Sequence, residues 1–329
     1  MDINEIARLA GVSRATVSRY LNDGYVSQAK REIIAKVIEE TGYVPSRQAQ
    51  QLRTGKTGIV GVVIPKINSQ SVSRMISGIN EVLRENGYQM LLANSENDCQ
   101  AEIEYLRVFS ESRHVDGIIF IATVITEGHL KAFSELDIPM VILGQHVDGY
   151  SCVFHDDYQA AYAVTKAVLA NGSRPAYIGV LDTDLAAGHE RHRGFVDACL
   201  AAGITPDPKA HIVGDFTMDS GYFCCEQLLD GLPETDSIVC ATDTIAFGAL
   251  ACLREYGKRV PDDVQVAGIG DSEFSRAVAP SLTTAHLFFK TSGADAALLL
   301  IDTMSKREDV PISRELKMGY ELYVRTSTR

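Results

Sequence analysis

From Gly58 onward, continuous apolar runs alternate with amphipathic stretches, and this alternation constrains the fold more than any other feature. The runs "IVGVVI", "QMLLA", "GIIFIA" and "PMVILG" read as buried strands, with helical stretches between them at 71–86, 101–112 and 127–136. A strand that is apolar at every position is buried on both faces. That requires a parallel sheet with helices above and below it. A second set begins near Asp156, with the runs "AYIGVL", "AHIVG", "DSIVCA" and "VQVAGIG" and helical stretches at 158–170, 189–202, 220–229, 244–255 and 292–304. The expectation is an α/β module of two doubly wound parallel-sheet subdomains, with a solute site between them at the strand carboxyl ends.

The first 58 residues differ in both charge and pattern. Nine Lys/Arg against six Asp/Glu give them +3, in a chain of net charge −12, so the remainder carries −15. Such asymmetry points to a basic module that touches something anionic, joined to an acidic module that does not. Within it, "IARLAGVSRATVSRYLN" reads as two short helices. Asp2 and Ser13 are their N-caps and Gly11 makes the turn. Ile3, Ile6, Ala7 and Leu9, then Val17, Tyr20 and Leu21, are the apolar positions. A third pattern over 27–41 has Ile33, Ile34, Val37 and Ile38 on one face, and Gly42 stops it. This all-α arrangement reads as a helix-turn-helix, whose second helix would enter the major groove of double-stranded DNA, with a small helical interaction domain bearing solvated arginines as the other reading. Its outward side chains are Arg14, Ala15, Ser18 and Arg19. Arginine can bond guanine in bidentate fashion, and Ala15 can meet a thymine methyl.

No residue set supports catalysis. "GIG" at 268–270 lacks the GxGxxG form, and "HERH" at 189–192 is a histidine pair without the other ligands of a zinc site. "HDD" at 155–157 reads as a loop and helix N-cap. Cys224 and Cys225 are read as facing the core and the surface of one helix. The seven cysteines form no CxxC pair and read as reduced, mostly buried thiols of a cytoplasmic protein. No secretory pattern or membrane-length apolar run is present, and no cofactor or metal is expected.

The chain resembles the lactose/purine-repressor family of bacterial transcription regulators. The resemblance rests on "IARLAGVSRATVSRYLN", "GYVPSRQAQQLRTGKTGIVGVVIP", "VDGIIFIA", "IPMVILGQ", "CATDTIAFGAL", "VPDDVQVAGIGD", "PSLTT" and "YVRTSTR", in the family's order over essentially the full length. The nearest members are trehalose and sucrose operon repressors, through "YSCVFHDDYQAAYAV", "YIGVLDTDLAAGHERHRGF" and "VCATDTIAFGAL". The resemblance implies a DNA-binding head at 1–45, a hinge at 46–57 whose Leu52 wedges into the minor groove, and a periplasmic-binding-protein-like effector and dimerisation module at 58–329. In that module the chain would cross between subdomains three times, near 153–156, 286–288 and 316–319. That divides it into an N-subdomain (58–154 and 287–317) and a C-subdomain (155–286 and 318–329).

Strand ends offer Lys66, then Asp184, Leu185, Ala186 and Ala187, then Arg191, Asp243 and Thr244 as effector contacts. The family places effector contacts at Arg191 and Asp243. Two departures stand out. Ser69-Gln70-Ser71-Val72 replaces an aromatic Asn-Pro-Phe-Phe, and Gly270-Asp271 replaces Asp-Asp, which removes Asp271 from the expected contacts. The expected function is a homodimeric repressor of a sugar-utilisation operon, released from a palindromic operator by a sugar or sugar phosphate. Lys66 opposite Arg191 points to a phosphorylated disaccharide of the trehalose 6-phosphate kind, with a sucrose-like free sugar as the other choice. A solute-binding protein, a sugar-active enzyme and a ligand-dependent activator or corepressor-type regulator are the competing readings.

Overall fold

The computed structural model describes residues 1–22, 24–43, 56–111, 114–305 and 312–329, in two compact units, 1–58 and 59–329. Leu52 and positions 46–55 of the expected hinge lie outside the described residues.

In the first unit, α1 (Ile3–Leu9) opens on a capping box: Asp2 accepts from the Asn4 and Glu5 amides, and Glu5 accepts from the Asp2 amide. Gly11 turns the chain at φ 62°, and Ser13 caps α2 (Arg14–Tyr20) through the Thr16 amide at 3.2 Å. α3 (Gln28–Thr41) ends at Gly42, which is left-handed at φ 60°. Ile6, Ala7, Ala10, Val17, Val26 and Ile34 form the core. Leu9 and Ile33, expected on the buried faces, are each 47% exposed. At 100° per residue both sit roughly a quarter turn off the core-facing line, and three short helices enclose only a narrow core.

The second unit contains two six-stranded sheets, ordered β11-β5-β4-β3-β1-β2 and β12-β10-β9-β8-β6-β7. The first comprises β1 (Ile59–Ile64), β2 (Gln89–Asn94), β3 (Gly117–Ile121), β4 (Met140–Leu143), β5 (Cys152–His155) and β11 (Glu315–Met318), all parallel. The second comprises β6 (Pro175–Gly179), β7 (His211–Val213), β8 (Ser237–Cys240), β9 (Gln265–Gly270), β10 (Thr283–Leu287) and β12 (Tyr320–Tyr323), with only β12 antiparallel to its neighbour.

The apolar strands divide their side chains between two faces, as the alternation required. Val60, Val62, Ile64, Ile119, Ile121, Val141 and Leu143 pack under α4 (Gln70–Glu85) and α11 (Phe289–Ser305). Val63, Ile118, Phe120 and Ile142 pack under α5 (Cys99–Glu111) and α6 (Glu127–Ser134). Buried Glu102 of α5 bonds Ser95 at 2.9 Å and His129 of α6 at 3.0 Å, so the three buried polar side chains partner one another. In the other subdomain α7 (Asp157–Leu169) pairs with α8 (Arg191–Ala201), and α9 (Met218–Gly231) pairs with α10 (Asp243–Glu255). Both Cys224 and Cys225 are buried there, so neither faces the surface as expected. The chain passes between the sheets after β5, after β10 and between β11 and β12.

α4 and α11 touch backbone to backbone. A methyl on Gly78 would lie 1.9 Å from the Lys290 carbonyl oxygen, and one on Gly293 would lie 2.1 Å from that of Met75. Gly78→Ala must therefore force the helices apart. We expect a loss of about 1–3 kcal/mol, read as a lower urea midpoint at unchanged slope.

Candidate functional site

Each sheet reverses its strand order beside its first strand: β1 lies between β2 and β3, and β6 between β7 and β8. Loops leaving the carboxyl ends diverge at such points and open a crevice. Gln145, just beyond β4, joins the two crevices. Its Nε2 donates to the Thr123 carbonyl beyond β3 at 2.7 Å and to Asp184 Oδ1 beyond β6 at 2.8 Å. Asp184 also caps a single π-helical turn (Leu185–Glu190) by accepting from the amides of Ala186 and Ala187 at 3.1 and 3.0 Å. Burial raises the Asp184 carboxyl above its ordinary range against these bonds.

The π turn delivers Arg191, buried, to the start of α8. Its Nε and Nη2 each lie 2.7 Å from Asp157 Oδ1, and Nη1 donates to the Ala241 carbonyl beyond β8. Burial opposes the guanidinium charge, but Asp157 outweighs it and holds Arg191 above its usual value. Asp157 stands in the first turn of α7, one residue after Asp156 caps that helix through the Gln159 amide.

Asp243 and Thr244 are placed differently. Asp243, at the start of α10, is 3% exposed and accepts from Thr284 Oγ1, the Ser272 amide and Ser275 Oγ at 2.5–2.7 Å. These bonds direct it into the protein's own frame, where it ties β9, β10 and the 273–276 turn together. Burial raises its pKa despite them. Thr244 and Lys66 are half-buried, and neither lines the two cavities described next. Lys66 and Arg191 are thus not gathered into either cavity.

The larger cavity, about 460 Å³, is lined by Gly144, Gln145 and His146, by Phe154 through Tyr158, by Leu185, Ala186, His189 and Glu190, and by Glu315 and Lys317. Of the expected residues it receives Leu185 and Ala186, with Asp184, Ala187 and Arg191 just behind. The lining holds four carboxylates, Asp156, Asp157, Glu190 and Glu315, and one lysine; Asp156 is 2.8 Å from Lys317, Asp157 pairs with Arg191 and Glu190 with Arg193. Phe154 and Tyr158 supply the aromatic surface that the 69–72 segment lacks. Sequence reasoning flagged "HDD" only as a loop and cap. His155 and Asp157 also line this cavity, and nothing in the sequence singled out Gln145, Glu315 or Lys317.

The second cavity, about 380 Å³, is lined by Arg74, Asp271, Ser272, Glu273, Arg276 and His286. Arg74 crosses from α4 to the carbonyls of Gly270 and Asp271 at 2.9 and 3.2 Å. The Asp271 carboxylate bonds Arg325 and, at 2.9 Å, His286, with Arg276 at 3.7 Å. Burial would raise its pKa, but Arg325 and His286 hold it below the ordinary value. Of the "HERH" pair, His189 faces Glu190 at 3.8 Å, while His192 stacks on His211 and Tyr177.

Two outcomes are expected. Asp157→Ala leaves Arg191 buried without its counter-charge and should destabilise the fold by roughly 3–5 kcal/mol in denaturant titration. Burial pushes His155 down from 6.5 to about 4. Between those values the unfolded chain takes up a proton that the folded chain does not. The contribution of neutral His155 is therefore complete above pH 6.5 and is lost as pH falls toward 4. His155→Phe should flatten the pH dependence of the unfolding free energy in that window by about one proton's worth, roughly 1.4 kcal/mol per pH unit.

Residues 2–46 match the lacI family of bacterial regulatory proteins, and residues 169–328 match a periplasmic binding protein-like domain. The chain is 34% identical to the sucrose operon repressor of Staphylococcus xylosus over 90% of this chain and 91% of that protein. A solved transcriptional regulator CelR–cellobiose complex is 30% identical, with 99% of each chain covered and a TM-score of 0.76. The lac repressor dimer bound to operator and the anti-inducer ONPF has a TM-score of 0.90 over 100% of this chain and 99% of that one. At 21% identity it speaks for the fold alone. Among the described residues no helix is long and apolar enough to cross a membrane. A helix-turn-helix head, two periplasmic-binding-protein-like subdomains and a full-length relative at this identity place the chain in the lacI family of bacterial regulatory proteins, as a transcription regulator and not an enzyme.

Proposed function

We propose that this chain is a homodimeric repressor of a sugar-utilisation operon, whose hold on a near-palindromic operator is weakened by an uncharged sugar of disaccharide size bound between the subdomains. The observation that carries the ligand class is the larger cavity's lining. Carboxylates and imidazoles surround a space of about 460 Å³, and its one lysine is paired with Asp156. Asp157 and Glu190 are likewise paired, with Arg191 and Arg193, so the lining offers acceptors to hydroxyls while its lysine is already committed, which favours a neutral polyol over the −1.5 to −2 charge of a phosphate. Phe154 and Tyr158 offer apolar faces to a sugar ring. The similarity to a sucrose operon repressor and to a regulator solved with cellobiose supports the same class.

In this reading Asp184, Ala187 and Arg191 shape the site from behind, and Lys66, Asp243 and Thr244 are not among its lining residues. A phosphorylated disaccharide held by Lys66 is the alternative outcome. Calorimetry with sucrose, trehalose and cellobiose beside their 6-phosphates decides between them. The free sugar should bind more tightly, and a phosphate preferred tenfold would return the ligand to the Lys66 reading. Linkage sets the coupling. Each tenfold loss of operator affinity on sugar binding needs about 1.4 kcal/mol, and operator must weaken sugar binding by the same factor.

For the DNA-binding head, exposed Arg14, Ala15 and Arg19 and half-buried Ser18 lie on α2, the helix proposed to enter the major groove. Arg14→Ala or Arg19→Ala should each cost roughly 1–3 kcal/mol on operator and much less on random DNA, by gel shift at fixed salt. Equal losses on both DNAs would assign the arginine to phosphate instead.

A further inference from the structure

We propose that Cys99, Glu102 and His129 form a zinc site in the N-subdomain, which staples the first turn of α5 to the first turn of α6. Cys99 is the first residue of α5 and Glu102 lies one turn on, so both side chains occupy one face of that helix. His129 comes from the first turn of α6. One ligand atom from each, the Cys99 Sγ, a Glu102 carboxylate oxygen and a His129 ring nitrogen, all lie within 4.8 Å of one another. Among the described residues no other three His, Cys, Asp or Glu side chains converge in this way. Glu102 is 1% exposed and His129 0%, while Cys99 is half-buried. None of the three lines either cavity.

The donor set suits Zn²⁺. Tetrahedral zinc takes sulfur at about 2.3 Å and nitrogen or oxygen at about 2.0–2.2 Å, which puts neighbouring ligand atoms about 3.3–3.6 Å apart. Glu102 Oε2 and His129 Nε2 are 3.0 Å apart and need separate only slightly to admit the ion. A thiolate and a carboxylate cancel the charge of the dication, as a buried site requires. Three protein ligands leave the fourth tetrahedral position to water. Spacing in the sequence conceals the set, because His129 lies 27 residues beyond Glu102 and arrives only where α6 packs on α5.

The far sides of the carboxylate and the imidazole are already anchored. Glu102 Oε1 accepts from Ser95 Oγ at 2.9 Å, and His129 Nδ1 is 2.8 Å from Thr126 Oγ1. Outer partners of this kind orient metal ligands. Without metal, the Thr126 amide donates to Nδ1 at 3.2 Å, so Nε2 carries the ring proton and gives it to Glu102 Oε2. On binding, the ring proton moves to Nδ1, where Thr126 Oγ1 accepts it. Nε2 then takes the metal, and the thiol proton leaves to solvent. The imidazole stays neutral throughout, and one proton is released for each ion bound.

The test uses the full chain without an affinity tag, and Co²⁺ as a spectroscopic substitute for Zn²⁺. Wild type should take up one Co²⁺ per chain, with a near-ultraviolet thiolate-to-metal charge-transfer band and the intense visible absorption of a tetrahedral ion. Zn²⁺ should displace it. Cys99→Ser should lose the charge-transfer band. It should also bind Zn²⁺ at least about tenfold more weakly in competition with a chromophoric chelator, since loss of even an outer partner costs about 10–100-fold. His129→Gln should weaken Zn²⁺ by a similar factor. A wild type that shows no charge-transfer band overturns the site. A band that survives in Cys99→Ser assigns the thiolate to another cysteine and overturns it as well. So does Zn²⁺ binding by His129→Gln as tight as that of wild type. Should His129→Gln fail to fold by circular dichroism, Cys99→Ser, at its half-buried position, carries the decision alone.

Discussion

The buried ion pair between Arg191 and Asp157 is the contact on which the site depends. Arg191 enters from a π turn, Asp157 from the helix that follows the first crossing, and the Ala241 carbonyl from the end of β8. One guanidinium thus fixes three strand-to-helix junctions of the C-subdomain relative to one another. Desolvation penalises such a pair, and a buried pair is weak evidence of net stability. Its value here is positional: planar, multidentate arginine locks the angles at which the surrounding loops leave the sheet. The orientation of Asp184, Leu185 and Ala186 follows from it.

Across the gap, the N-subdomain answers with a few individual hydrogen bonds. Gln145 reaches Asp184, and Arg74 reaches the carbonyls of Gly270 and Asp271. Such bonds are worth little individually, about 0.5–1.5 kcal/mol net, or somewhat more where a charge is involved. A few of them can be made or broken by a ligand whose affinity differs between two arrangements by an amount of the same order. A single stiff interface would resist that exchange. The strong interactions sit inside the subdomain and the weak ones between subdomains, as a small-molecule-responsive protein requires.

The lining of the larger cavity is rich in acceptors, and the uncharged sugar proposed for it would bring hydroxyl donors to them. The aromatic surface moves with the change in chemistry. Positions 69–72 carry no ring, while Phe154 and Tyr158, on the opposite side of the first crossing, line the space.

By itself the amino-acid order determined the periodic part of the molecule. Runs such as "IVGVVI" and "GIIFIA" could satisfy their side chains only in a sheet covered on both faces. Asp2, Ser13 and Gly11 marked the ends of the head's first helices through local hydrogen bonding and backbone freedom alone. Such signals work because each depends on neighbours a few residues away. β5, β10, β11 and β12 escaped the same reading. They are four or five residues long, each carries a charged or imidazole side chain, and the pairings of β11 with β5 and of β12 with β10 join segments distant in sequence. The site divides in the same way. Asp184 and Arg191 were legible as strand-end groups, but whether a carboxylate faces the ligand or its own fold depends on what tertiary contacts supply. Thr284 of β10 and Ser272 and Ser275 of the turn after β9 meet Asp243 and turn it inward. Only the folded chain decides that, because hydrogen-bond satisfaction in a buried site is a property of three-dimensional neighbours and not of sequence neighbours.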